Sequence, residues 1–300
     1  MPCYNVDKYI TNCLNSIYGQ KTNYKIRLIV INDGSSDETK KLIELSKNNC
    51  PFELVIIHQN NKGLSGARNA GLELLDSKYI MFIDSDDSLA GTNAIDSLLS
   101  VAFFRDADIV EGSINYINNN KVSGIKQHEN GILSVRDLCG QVWGKVIKSN
   151  LFQKICFPSS YWFEDSIMAQ LVYPQVNCEK VFGIDTFVYN YTSNSHSITH
   201  QAARNNKCID SLYVTLRLYD DRRILNLNNT QEYYEYILRM SRLSLRRMIR
   251  MPYKVKKAFF DIYSDFIMRE FSNFNSCSYH LLEWSLKKGW YFLFYLICLK

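Results

Sequence analysis

Over the first hundred positions, apolar runs alternate with helical patterns. Residues 26–31 (IRLIVI) are apolar and rich in β-branched side chains, and the run stops at Asn32-Asp33-Gly34. Such a run predicts a buried strand. Residues 38–46 read as a helix, 53–57 (ELVII) as a second strand, 66–75 as a second helix, and 79–83 (YIMFI) as a third strand. This alternation predicts an α/β fold, a mostly parallel sheet flanked by helices. Polar residues gather just past the C-terminal ends of the strands, the edge at which open α/β sheets bind ligands. Further strands are expected over 107–117 and 181–191, an extended stretch over 142–147, and a helix over 165–172. Residues 2–5 read as a loop leading into a helix over 4–18, so the first strand of the sheet is missing from the pattern. Beyond about residue 201 the chain reads as helical, over 206–225, 231–251, 253–271 and 278–299. The expected organisation is a binding and catalytic domain over 1–200 and a helical extension over 201–300.

Composition narrows this picture. With 46% apolar residues and 20 Tyr beside 16 Phe, the 300-residue chain has ample material for a core, which excludes a disordered protein. The nine cysteines are scattered without CxxC spacing, and no signal-peptide pattern precedes PCYNV, so reduced thiols in a cytosolic compartment are expected. Charge is uneven. Residues 201–300 hold 17 Lys and Arg against 9 Asp and Glu, whereas the remainder is slightly acidic. An acidic front half suits a cation site, and a basic back half suits an anionic surface.

Three segments carry candidate chemistry. In IMFIDSDDSL, Asp84, Asp86 and Asp87 follow an apolar strand. Carboxylates this close repel one another unless a cation neutralises them, and hard oxygen ligands suit Mg²⁺ or Mn²⁺. The plainer reading is an Asp/Ser turn capping the next helix. In INDGSSDET, Asp37 suits a helix cap, while Asp33 sits at the strand's end, where a carboxylate can accept a hydrogen bond from a nucleobase. In NKGLSGARNAGL, Gly63, Gly66 and Gly71 interrupt a helical stretch, and Arg68 suits a base or a diphosphate.

Taken in order and spacing, PCYNVDKYI, VINDGSSDET, NKGLSGARNAGL and FIDSDDSL resemble the donor-binding half of family 2 glycosyltransferases of the GT-A fold. WGKVIKSNLF and YWFEDSIMAQ resemble the acceptor-side segment of the same family more loosely. The resemblance implies that Pro2, Tyr4 and Asn5 line the pocket for the base and ribose. Asp33 would bind the base with Arg68 in support, Asp84 would approach the ribose, and Asp86 would hold a divalent metal on the diphosphate. Asp165 would be the general base, with Glu164 shaping its surroundings. A basic residue of the family's last loop is matched by YTSNSHSITH, where His196 and His200 stand; a loop histidine is more often a solvated surface residue than a phosphate or metal ligand. The implied reaction is inverting transfer from a nucleotide-sugar donor, UDP-linked by family habit, to a glycan or lipid-linked acceptor. A phosphotransferase using the strand-end Asp-x-Asp, a nucleotidyltransferase, and a catalytically impaired sugar-nucleotide-binding scaffold are the competing readings.

Arg239, Arg242, Arg246 and Arg250 recur at helical spacing with Arg247 adjacent. An amphipathic basic helix is either a solvated face or an attachment to anionic lipid. The apolar segment 290–299 is too short to span a bilayer. The expectation is a peripheral enzyme on the inner face of the cell membrane. Nucleic acid is not expected as a partner, since no recognised binding motif accompanies the charge.

Overall fold

The computed structural model describes residues 1–194 and 205–299. The chain divides into two compact units, Met1–Ser160 with Glu164–Asn194, and Tyr161–Phe163 with Ser195–Lys300.

The first unit is α/β. A three-stranded parallel sheet has the order β1 (Pro2–Cys3), β2 (Arg27–Asn32), β3 (Glu53–His58). Helix α1 (Ile10–Tyr18) buries Ile10, Cys13, Leu14 and Ile17, the i, i+3, i+4, i+7 stripe of an amphipathic helix. Helices α2 (Thr39–Ser46) and α3 (Gly63–Leu72) follow β2 and β3. A second, mixed sheet holds β4 (Tyr79–Ile80), β5 (Ser88–Leu89), β6 (Ile109–Asn118), β7 (Lys121–Lys126), β8 (Gly131–Ile132), β9 (Lys145–Lys148) and β10 (Val181–Thr192). Its main path runs β4-β9-β6-β10-β5, with β7 on β6 and β8 on β10. Only β6 and β10 run parallel there. Parallel pairing thus belongs to the front of the chain and antiparallel pairing to most of the rest.

Several elements of this unit differ from their sequence reading. The strand expected over 79–83 stops at Ile80, and Phe82 makes a lone bridge to Trp143 as the chain turns into the acidic loop. Helix α4 (Ala94–Arg105) was not expected: Phe104, 81% exposed, sits opposite the buried Ile95, Leu98 and Leu99 and blurs the amphipathic contrast. Pro2 and Cys3 are a short strand rather than loop, because Ile31 N donates to Met1 O and Asp33 N to Cys3 O, both at 2.9 Å.

Between β2 and β4 lies a cavity of about 320 Å³, lined by Leu28, Ile29, Ile31, Tyr79, Ile80 and Leu99 among others. It separates the two sheets. The Met1 ammonium is buried beside it and donates to Ile29 O at 2.8 Å. Burial lowers its pKa, because a charge there has lost water.

The second unit is helical, with α5 (Asp210–Ile224), α6 (Gln231–Arg247), α7 (Tyr253–Glu270), α8 (His280–Lys287) and α9 (Tyr291–Leu299). Its core is aromatic, with Tyr234, Phe259, Phe260, Tyr263, Phe266, Phe271 and Phe294 buried together. The helix expected over 278–299 breaks at Gly289, whose φ of +71° ends α8. Within α9, Tyr291, Phe294 and Cys298 pack inward while Phe292 and Leu296 stay exposed. On α6, Arg239 and Arg246 are exposed, and the Arg246 Nε donates to Cys298 O at 2.6 Å. Among the described residues no helix is long and apolar enough to cross a membrane.

Candidate active site

The site is assembled at the C-terminal ends of β1, β2 and β4. Cys3 and Asn32 are partners in the parallel register, so Tyr4 and Asn5 leave β1 beside Asp33 and Gly34 leaving β2. Asn5 has a φ of +50°, which asparagine tolerates better than most residues. Its side chain accepts from Ser36 N at 2.9 Å, and its own N–H donates to Ser35 Oγ at 3.1 Å. Gly34 has a φ of +76°, and a Cβ there would stand 2.8 Å from Asn61 N. Only glycine lets these loops close. Asp33 is buried, and its Oδ1 accepts from Gln59 Nε2 at 2.6 Å and Lys62 N at 2.8 Å. It therefore ties the end of β2 to the start of α3. Pro2 is buried and lines the cavity between the sheets, whereas Tyr4 is 51% exposed.

Helix α3 delivers Arg68, whose side chain is only 1% exposed. One terminal nitrogen donates to Asp84 Oδ1 at 2.8 Å. The other donates to Glu164 Oε1 at 2.7 Å and Asp165 Oδ1 at 3.0 Å. Phe157 lies under the guanidinium at 5.4 Å, and Asn69 on the same helix fixes Phe157 through its backbone N–H and C=O. Burial opposes the charge on Arg68, yet Asp84, Asp165 and Glu164 together raise its pKa further. Removing this group would leave three carboxylates facing one another in a poorly solvated place, at a cost of about 3–5 kcal/mol.

The acidic loop is held from the other side by β10. Asp84 N donates to Tyr189 Oη at 3.1 Å, and that hydroxyl donates to Asp87 Oδ2 at 2.8 Å. Asp87 Oδ1 accepts from Thr192 N at 2.6 Å, and Asp86 Oδ2 accepts from Asn194 Nδ2 at 2.6 Å. Tyr189 is in turn stacked on Trp143 at 4.8 Å. Burial, together with the charge of Asp84, lifts Asp86 to about 6. Asp87 is raised well above the carboxylate range by burial and by its two acidic neighbours.

Asp165 is the outward member of the Arg68 cluster, with 31% of its side chain exposed against 5% for Glu164. Its environment lifts it to about 7. Burial is the main cause, Glu164 and Asp84 add to it, and Arg68 opposes it. Phe163, just before this pair, has a φ of +67°, a strained conformation for an aromatic residue that is typical of functional sites. The helix expected over 165–172 forms a wide π-helical turn over Met168–Val172.

The structure thus joins Arg68, Asp84, Glu164 and Asp165 by direct contact, with Asp86 on the same loop. Pro2, Tyr4, Asn5 and Asp33 form a neighbouring group at the β1 and β2 ends. The terminal nitrogens of Arg68 are engaged by Asp84, Glu164 and Asp165 rather than by Asp33. Gln59, Phe157, Tyr189, Thr192 and Asn194 support the site without a motif of their own. His196 and His200 lie outside the described residues. Among the described residues no three His, Cys, Asp or Glu side chains converge as a metal cage. The donor set still fits a hard cation: Asp86 is an oxygen ligand whose ionisation is resisted by crowding, the strain that a cation shared with a diphosphate relieves.

The sequence profile of Glycosyl transferase family 2 matches residues 1–161, more than half of the chain, and takes in Asp33, Arg68 and the acidic loop but stops short of Glu164 and Asp165. The chain belongs to glycosyl transferase family 2. Among the family's relatives, it is 30% identical to the glycosyltransferase GlyA of Streptococcus pneumoniae over 221 residues, covering 66% of this chain and 31% of that protein. It is 27% identical to GlyG of the same organism over 222 residues, covering 66% of this chain and 71% of GlyG. The crystal structure of S. aureus TarS 1–349 in complex with UDP-GlcNAc matches with a TM-score of 0.75 at 17% identity, covering 99% of this chain and 88% of that one. The α/β architecture expected from the sequence is thus the GT-A fold of this family. The match takes in less than a third of GlyA's own length.

One consequence can be measured without substrate. Asp86 binds a proton more tightly in the folded state than in the unfolded one. Its contribution to stability is therefore present at low pH and lost as pH rises from about 4 through about 6. Asp86→Asn should raise stability at pH 7.5 by about 1 kcal/mol or more and leave it unchanged near pH 4. Thermal unfolding at the two pH values reads this directly; equal effects at both would show that Asp86 is not electrostatically strained.

Proposed function

We propose that this protein is an inverting glycosyltransferase. It would move a hexose or N-acetylhexosamine from a nucleotide-sugar to a hydroxyl of a glycan or lipid-linked acceptor in cell-surface polysaccharide synthesis. The observation that carries the reading is the buried guanidinium of Arg68, which holds Asp84 and Asp165 in one cluster. A donor-side and an acceptor-side carboxylate are thereby fixed relative to each other. UDP is the proposed nucleotide, supported by the UDP-GlcNAc complex of TarS. Residues 1–200 are assigned as the binding and catalytic domain and 201–300 as a helical, basic extension.

Pro2, Tyr4 and Asn5 line the base and ribose pocket in this reading, and Asp33 accepts from the base. Arg68 acts by holding Asp84 toward the ribose. Asp86 would hold a divalent cation, Mn²⁺ or Mg²⁺, which when bound supplies positive charge to the diphosphate leaving group. Asp165 accepts the proton of the acceptor hydroxyl as that oxygen attacks. Its raised proton affinity suits that task near neutral pH, and the ionised form must dominate for it to act. The rate should therefore rise with pH through about 7. A base without a covalent nucleophile implies single displacement, hence inversion at the anomeric carbon. The exposed arginines of α6 and the exposed Phe292 and Leu296 of α9 support peripheral attachment to an anionic membrane surface.

The test is UDP release from UDP-sugars with Mn²⁺, the chain compared with two variants. Asp165→Asn should lose at least about 100-fold in turnover while still binding donor. Asp86→Ala should lose metal-dependent donor binding, read as loss of the Mn²⁺-dependent thermal shift given by UDP. Unchanged turnover in Asp165→Asn sinks the base assignment. Donor binding without turnover in the unaltered chain would instead identify a binding scaffold.

A further inference from the structure

Behind the candidate base lies a buried ionic network that the proposed reaction does not use. Lys145, in β9, and Glu111, in β6, are both fully buried and pair at 2.5 Å. Lys145 Nζ also donates to Cys139 O at 2.6 Å and to Tyr173 Oη at 2.9 Å. The Tyr173 hydroxyl donates to the same carbonyl. Glu111 is saturated in its turn: it meets Lys126 Nζ at 2.7 Å and His128 Nε2 at 3.0 Å, and it accepts from Cys139 N at 2.9 Å. Burial resists the charge on Glu111, but Lys145, His128 and Lys126 hold it down to about 2.

Such a network is a poor way to gain stability, because well-packed apolar groups usually serve as well or better. Its position suggests another use. Tyr173 ends the turn that begins at the candidate base: Ile167 N donates to Glu164 O and Met168 N to Asp165 O, and the wide π turn Met168–Val172 leads into Tyr173. Single π turns inside helices recur at functional sites. Segment 164–173 is therefore pinned in front by Arg68, through Glu164 and Asp165, and behind by Lys145, through Tyr173. The charged groups felt at Asp165 are Arg68 on α3, Glu164 beside it, Asp84 on the acidic loop and Lys145 on β9.

We propose that Lys145, anchored by Glu111, is a positioning residue that fixes the Asp165 carboxylate through Tyr173 and sets a buried positive charge behind it. This rests on Asp165 being the general base. The network also has a visible trace in the sequence, a lone charged residue inside each of two largely apolar runs, IVEGSI and VWGKVI.

The test uses the full chain, labelled with ¹³C at the aspartate carboxyls, with Asp165→Asn identifying the Asp165 signal. Removing both charges together, Glu111→Gln with Lys145→Met, avoids stranding either one. The titration midpoint of Asp165 should then move up by about 0.3 unit or more, a twofold or larger gain in proton binding. Tyr173→Phe keeps the Lys145 charge, so its midpoint should stay, while UDP release from UDP-GlcNAc falls several-fold. A folded double variant with an unmoved midpoint overturns the proposal. If the double variant does not fold, Tyr173→Phe decides: wild-type UDP release overturns it, and a several-fold loss at an unmoved midpoint supports it. Failure of the base assignment reads differently, as full UDP release by Asp165→Asn.

Discussion

A buried arginine that neutralises three carboxylates is the constraint around which the first unit is arranged. Arg68 reaches Asp84, Glu164 and Asp165 from one helix, and those partners lie 16, 96 and 97 residues away along the chain. Each contact requires a different piece of the fold to be correct. Helix α3 must start where Asp33 and Lys62 place it, the third strand must stop early so that Asp84 turns inward, and the segment after Phe163 must return to the same spot. A long, fully desolvated guanidinium has little freedom to accommodate error, so the cluster reports on the whole assembly.

Much of this was legible in the sequence, and the limits have physical causes. The apolar runs gave β2, β3, β6 and β10 to within a residue or two, because runs rich in β-branched and aromatic side chains favour extended backbone even where, as in β3, burial is only partial. Asp33, Asp84 and Asp86 were legible as strand-end carboxylates. Arg68 was legible as a site residue, but its partners were not: a motif shows that a cation is present, not which anions the fold brings to it. The tie between Asp87 and Thr192 spans 105 residues and leaves no local trace. The early end of β4 was equally hidden, since YIMFI is apolar throughout and only tertiary pairing decides where the ladder stops. Helix α4 was obscured by exposed phenylalanines, and the break at Gly289 by the apolar residues on both sides of it.

The site also shows how stability and chemistry pull against each other. Asp86, Asp87 and Asp165 all hold protons more tightly than ordinary carboxylates do, because the fold crowds them and keeps water away. A sequence selected only for stability would dilute that crowding. Its retention suits a surface that waits for a charged partner, with the cost of assembly carried by the aromatic support of Trp143 and Tyr189 and by the cation on α3.

The gap between the two sheets sets a boundary on how firmly the strand beside it is held. Met1 and β1 meet β2 at Ile29, Ile31 and Asp33, so that strand is bonded on both sides over its C-terminal half, where the site lies. The walls of the gap itself are side chains such as Leu28, Ile29, Ile80 and Leu99. Empty volume is what compression removes, so hydrostatic pressure, more than heat, is the force to which this seam yields first.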